Sequence, residues 1–89
     1  MDRLKRNPDI VAREIDNTVF LVGIHNDSVF HLNMIGAAIW KLLAEPASEA
    51  ETVDVLTEAF PDVPADQVRE DVKRLFRDLE ERNFVIRTG

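Results

Sequence analysis

Phe30-His31-Leu32-Asn33-Met34-Ile35-Gly36-Ala37-Ala38-Ile39-Trp40-Lys41-Leu42-Leu43 changes its hydrophobic period from two to about 3.6 within a few residues. Phe30 and Leu32 alternate with polar His31, as on a half-buried strand. Ile35, Ile39, Leu42 and Leu43 recur at i, i+4, i+7 and i+8, as on one helix face. Asn33 stands at the joint, where its side-chain oxygen can accept from the exposed N–H groups of the first helical turn, so it reads as the N-cap. The chain before this point has the pattern of sheet, and the chain after it the pattern of helix.

Working back from the joint, Ser28 to Leu32 is expected as a strand preceded by the polar turn His25-Asn26-Asp27-Ser28. Ile10 to Ile15 and Thr18 to Ile24 form a hairpin through the turn residues Asp16-Asn17. Short connections make these three strands an antiparallel meander. Val19-Phe20-Leu21-Val22 is apolar on both faces, which a sheet covered on one side does not require. The N-terminal arm, a second copy or a partner could cover the other face. Met1 to Asn7 is polar and precedes Pro8, so residues 1–8 read as a flexible arm or a lead-in to the first strand.

Working forward, the first helix runs from about Met34 to Ala44 and stops ahead of Pro46. Gly36, Ala37 and Ala38 make it thin on one side, and the single Trp, Trp40, reads as a core residue. Ser48 with Glu51 is a capping box that opens a second helix, with Val53, Leu56 and Phe60 on one face and Pro61 beyond its end. Pro64 opens a third and longest helix, through about Arg82, with Val68, Val72, Leu75, Phe76 and Leu79 as its inward stripe. Asn83 suits the left-handed position that ends helices, after which Phe84-Val85-Ile86 returns to the core or adds a short extended segment. The expected fold class is α+β, a three-stranded antiparallel sheet followed by three helices, in a single domain over residues 1–89.

Composition narrows the function. A chain of 89 residues buries roughly 60 to 65% of its unfolded surface, enough for one core. It has no cysteine, so it has no disulfide, thiolate metal site or thiol nucleophile, in keeping with a cytoplasmic protein. No apolar run approaches the about 20 residues of a membrane span, and Met1 to Pro8 has no signal-peptide core. The net charge of −6 disfavours nucleic acid as a partner. His25 and His31 have no second ligand at metal spacing, and Gly23, Gly36 and Gly89 form no phosphate-cradling loop. No catalytic residue, metal ligand or cofactor site is expected.

Two classes of function remain on these grounds. A small open sheet has edge strands that can pair with an extended peptide, and a helix beside the edge can supply pockets. Alternatively, a winged-helix protein presents its last helix to DNA. From Pro64 to Asn83 the third helix carries Arg69, Lys73, Arg74, Arg77 and Arg82 against Asp66, Glu70, Asp71, Asp78, Glu80 and Glu81, a net of −1 that suits DNA poorly. The basic cluster Arg69, Lys73, Arg74 and Arg77 could meet carboxylates on an acidic peptide, or pair with neighbouring acids such as Glu70. A third possibility, suggested by the two-faced second strand, is a small structural or dimerisation module.

Phe30-His31-Leu32-Asn33, then Gly36-Ala37-Ala38-Ile39-Trp40 and Leu42-Leu43, then Asp71-Val72 with Leu75 and Leu79 before Phe84-Val85, resemble the PqqD family (coenzyme PQQ synthesis protein D-like) over roughly Val19 to Ile86. The resemblance implies a winged-helix-like domain that serves as the recognition element for ribosomally made, post-translationally modified peptides. It implies a non-catalytic chaperone that binds the leader of a precursor peptide and presents it to a modifying enzyme, often a radical SAM protein, acting as a monomer or weak homodimer. In the family the leader adds as a strand beside the third strand, in a groove lined by the third helix. Carried onto this sequence, the peptide-binding residues are Ser28, Val29, Phe30, His31 and Leu32 on the strand, with Arg69, Lys73, Arg74, Phe76 and Arg77 on the helix. The face of the helix that lines the groove is left open.

Three departures qualify the likeness. Proteins of PQQ synthesis itself approach the Leu-Asn joint differently and lack the Ile39-Trp40 pair, so the resemblance is to the broader family and leaves the product open. Asn83 stands where the family commonly has Gly, and Met34 where Pro often follows the Leu-Asn pair; both fit their helix-end positions.

Overall fold

A computed structural model describes residues 3–16, 18–23 and 29–88. In chain order the elements are β1 (Arg3–Arg6), β2 (Ile10–Ile15), β3 (Thr18–Gly23), β4 (Val29–Leu32), α1 (Met34–Leu42), β5 (Ala47–Ser48), α2 (Glu49–Ala59), α3 (Ala65–Glu81) and β6 (Val85–Arg87). The fold is α+β, as the pattern of periods predicts. Strands β2, β3 and β4 form the expected antiparallel meander, with Phe20 opposite His31 and Leu21 opposite Phe30. The turn expected at His25 to Ser28, including candidate residue Ser28, lies outside the described residues.

A second three-stranded sheet, of order β5-β1-β6, was not expected. Arg3–Arg6, read above as part of an arm, is its central strand: Leu4 lies opposite Ala47 on one side and Arg87 on the other. Leu4 is 3% exposed, so a strand with one apolar residue is anchored by burying that residue. Further bonds hold its end: Arg6 N–H donates to the Leu43 carbonyl (2.9 Å), and Asn7 N–H to that of Phe84 (3.0 Å).

The strand-to-helix joint forms as its residues dictate. Gly36 N–H donates to Asn33 Oδ1 at 2.7 Å, which caps α1 one residue after β4 ends. Gly36 suits a close approach, because a Cβ there would sit 3.2 Å from both the Leu32 side chain and Asn33 Oδ1, and each would have to give way slightly. The capping box of α2 is complete: Glu51 N–H donates to Ser48 Oγ, and Ser48 N–H donates back to Glu51 Oε1. Pro64 occupies the N-cap position of α3 rather than its first turn. That helix ends in a Schellman motif, with Asn83 at φ 60°, Phe84 N–H donating to the Leu79 carbonyl and Asn83 N–H to that of Glu80.

The motif turns Phe84 inward, where it is fully buried with Leu21, Ile39, Leu43, Leu56, Val68, Val72 and Leu79. The inner face of β2–β4 packs on this cluster through Leu21 and Leu32. The outer face is apolar as well: Val11, Ile15 and Val29 remain 39%, 57% and 60% exposed on it, beside Phe20 and Val22. Arg3–Arg6, part of one candidate cover, belongs instead to the other sheet.

Two outcomes follow from this packing. Phe84→Ala should cost about 3–5 kcal/mol by urea denaturation, because it empties the centre of the cluster and removes the edge-to-face contact with Phe30. Glu51 titrates below the usual carboxylate range, chiefly because Ser48 N–H donates to its carboxylate and further because Arg3 binds it at 3.0 Å. A carboxylate with a lower pKa folded than unfolded adds stability above its ordinary range, about 4.3, and that stability fades as the pH falls through the folded value. Glu51→Gln should therefore melt below the parent chain at pH 7 and converge with it in strongly acidic buffer.

Candidate functional site

Among the described residues strand β4 pairs with β3 alone, so the N–H and C=O groups along its other side have no strand partner. Helix α3 runs beside that edge. Between them is a groove of about 250 Å³, lined by Phe30, His31, Leu32 and Asn33 from the strand and joint, Ile35, Gly36 and Ile39 from α1, and Asp71, Arg74, Leu75 and Asp78 from α3. Leu32, Gly36 and Ile39 are buried beneath it, and Ile35 and Leu75 are half-buried in its wall. At the start of β4 the groove is bounded by Phe30, with the Arg82 guanidinium 4.8 Å above its ring and Phe84 meeting it edge-on at 6.5 Å. A charged side chain over an aromatic face adds roughly 0.5–1 kcal/mol at an exposed site, which steadies the ring.

The groove-lining residues of α3 are spaced i, i+3, i+4 and i+7, one flank of the helix. This fixes where the expected site residues stand. Phe30, His31, Leu32 and Arg74 line the groove. Val29 belongs to the same strand, with its side chain exposed on the outer face. Arg69 and Lys73 face a hollow shared with α2, where Arg69 pairs with Asp66. Phe76 is 6% exposed in the core, and Arg77 lies near Leu4, Glu80 and Arg87 on the side of the second sheet. His31 turns to the outer face, 5.2 Å from the Phe20 ring, while its strand position borders the groove.

Asp71, Leu75 and Asp78 were not among the expected binding residues. Leu75 sits at the margin of the inward stripe, and the two aspartates flank it on one side, a signal present in the helical spacing. The hollow between α2 and α3 is larger, about 700 Å³. Its nearest strand, β5, has no backbone to offer at Ser48, whose N–H donates to Glu51 and whose carbonyl accepts from Thr52. Unlike the α2–α3 hollow, the β4 groove joins a strand edge to a helix flank. Among the described residues no group of three or more His, Cys, Asp or Glu side chains converges to hold a metal, and no helix is long and apolar enough to cross a membrane.

Comparison with known proteins gives the family. No curated protein matches the chain. Among solved structures, TbiB1 in complex with the TbiA(beta) leader peptide is 27% identical, with a TM-score of 0.75 over 91% of this chain and 93% of that one. A lasso peptide synthetase B1 complexed with the leader peptide shares the fold at 22% identity, with a TM-score of 0.76 over 93% of this chain and 96% of that one. The family model for coenzyme PQQ synthesis protein D matches residues 18–85, from the start of β3 to the start of β6, and so takes in the joint, the groove and every helix. The chain belongs to the PqqD family.

Proposed function

We propose that this protein is a non-catalytic leader-peptide-binding partner in the biosynthesis of a ribosomally made, modified peptide. The observation that carries the reading is the unpaired edge of β4 running beside the α3 flank, in a chain 27% identical to TbiB1, a protein solved in complex with a leader peptide. A leader extended along β4 would exchange backbone hydrogen bonds with the strand, which gives sequence-tolerant affinity. Its alternate side chains would turn into the groove against Ile35, Ile39 and Leu75, which gives choice. The groove spans about four to five residues of extended chain, since Asp71 to Arg82 is roughly 16 Å of helix.

In this reading Val29, Phe30, His31 and Leu32 supply the pairing strand, and Arg74, Asp71, Leu75 and Asp78 the facing wall. Arg69, Lys73 and Arg77, on other flanks of α3, lie away from the guest. The bound leader would then be presented to a modifying enzyme, for which the radical SAM class is the kind the family resemblance implies. Nothing in the groove favours the DNA-binding alternative, because its helix flank holds two carboxylates against one guanidinium.

Titrating the ¹⁵N-labelled chain with the leader of the precursor peptide encoded beside its gene should shift the amides of Val29 to Leu32 and of residues 71–78. Shifts confined to the α2 side of α3 would remove the proposal. Leu75→Asp should weaken binding tenfold or more, the loss expected when about 1.4 kcal/mol of apolar contact is forfeited. Arg69→Ala should leave it unchanged.

A further inference from the structure

The flank that α3 turns to the groove reads Asp71, Arg74, Leu75, Asp78. The two carboxylates stand four residues before and three residues after Leu75, or roughly 6 and 4.5 Å along the helix axis. On an extended chain beside β4, side chains on one face recur about every 6.7 Å. A guest side chain seated over Leu75 therefore brings its neighbours on the same face, two residues before and two after, up against Asp71 and Asp78. The arrangement is nearly symmetrical about Leu75, so it holds for a guest running in either direction.

Asp71 and Asp78 are half-buried already, and among the described residues neither makes an ion pair or side-chain hydrogen bond. Arg74 is likewise unpaired and sits between them, so it can satisfy one carboxylate and leaves one over. A guest that closes the groove strips water from these groups. Covering an unpaired carboxylate is costly, and bringing up a second negative charge is worse, whereas a cation turns the cost into attraction. The basic cluster of α3 suggests an acidic guest on sequence grounds, but only Arg74 of that cluster faces the groove.

We infer that the guest carries an aliphatic side chain for Leu75, with a lysine or arginine two residues to one side or both, selected by Asp71 and Asp78. This rests on the peptide-binding reading above and adds the chemistry of the peptide. The test is selection from a randomised displayed peptide library on the whole chain, followed by fluorescence anisotropy of the selected sequences made as synthetic peptides. The parent protein should enrich Leu, Ile or Val with Lys or Arg two positions away. Replacing that cation by Ala should weaken binding about three- to tenfold at low salt. In the Asp71→Asn/Asp78→Asn protein the same replacement should have no effect, and Asp71→Lys/Asp78→Lys should select Asp or Glu at those positions.

Selected peptides that lose affinity on Leu75→Asp but show no charge preference, or prefer acids, would overturn this inference and leave the peptide-binding reading intact. Peptides indifferent to Leu75→Asp would overturn both, provided the variant melts like the parent. If that variant is unfolded, Leu75→Ala answers the same question.

Discussion

The hydrogen bond from Gly36 N–H to Asn33 Oδ1 holds the molecule's functional geometry together. It starts α1 one residue after β4 stops, which ties the end of the strand to the first turn of the helix. Leu32, buried beneath the joint, and Gly36, which leaves room for it, make the turn tight enough for Ile35 and Ile39 to form the groove wall directly below the strand edge. The opposite end is fixed by a second device. The Schellman motif at Asn83 drives Phe84 into the core, and Phe84 supports the Phe30 ring from behind while Arg82 covers it from above. A four-residue edge strand is thus held at both ends by helix termini, one where α1 begins and one where α3 finishes. In the proposed function, an edge strand fixed in this way would lower the ordering cost of binding a guest.

Much of this was legible in the chain, for reasons that vary along it. The meander and the three helices follow from hydrophobic period, and the caps at Asn33, Ser48 and Asn83 from side-chain chemistry. The second sheet was not legible. Arg3–Arg6 has one apolar residue, Ala47–Ser48 is two residues long, and their partner Val85–Arg87 lies at the far end of the chain. Pairing over such separations leaves no local pattern. The groove flank of α3 was half legible. The apolar stripe says which side of the helix is inward, but which margin of the stripe meets β4 and which meets α2 depends on how the helices cross. At about 100° per residue, Asp71, Leu75 and Asp78 fall on one margin, with Arg74 farther round on the same side. Arg69 and Lys73 fall on the other margin, and Arg77 opposite the core. A cluster that is contiguous in sequence is thereby distributed over three surfaces.

The central position of β1 in the second sheet also bears on how the molecule assembles. Arg6 pairs with Val85, so the contact that closes this sheet spans almost the entire chain and carries a large loop-closure entropy. The β2–β4 meander and the α2–α3 pair need only near neighbours, and β1 can pair with β5 before the chain is complete, while the β1–β6 pair must wait for β6 to be synthesised. During that interval Leu4 lacks one of its two strand neighbours. Phe84, behind the Phe30 ring, is placed by the local Schellman bonds at the end of α3 and does not depend on that step. The hollow between β4 and α3 thus draws on locally formed elements, while the sheet that joins the two ends of the described chain takes no part in its lining.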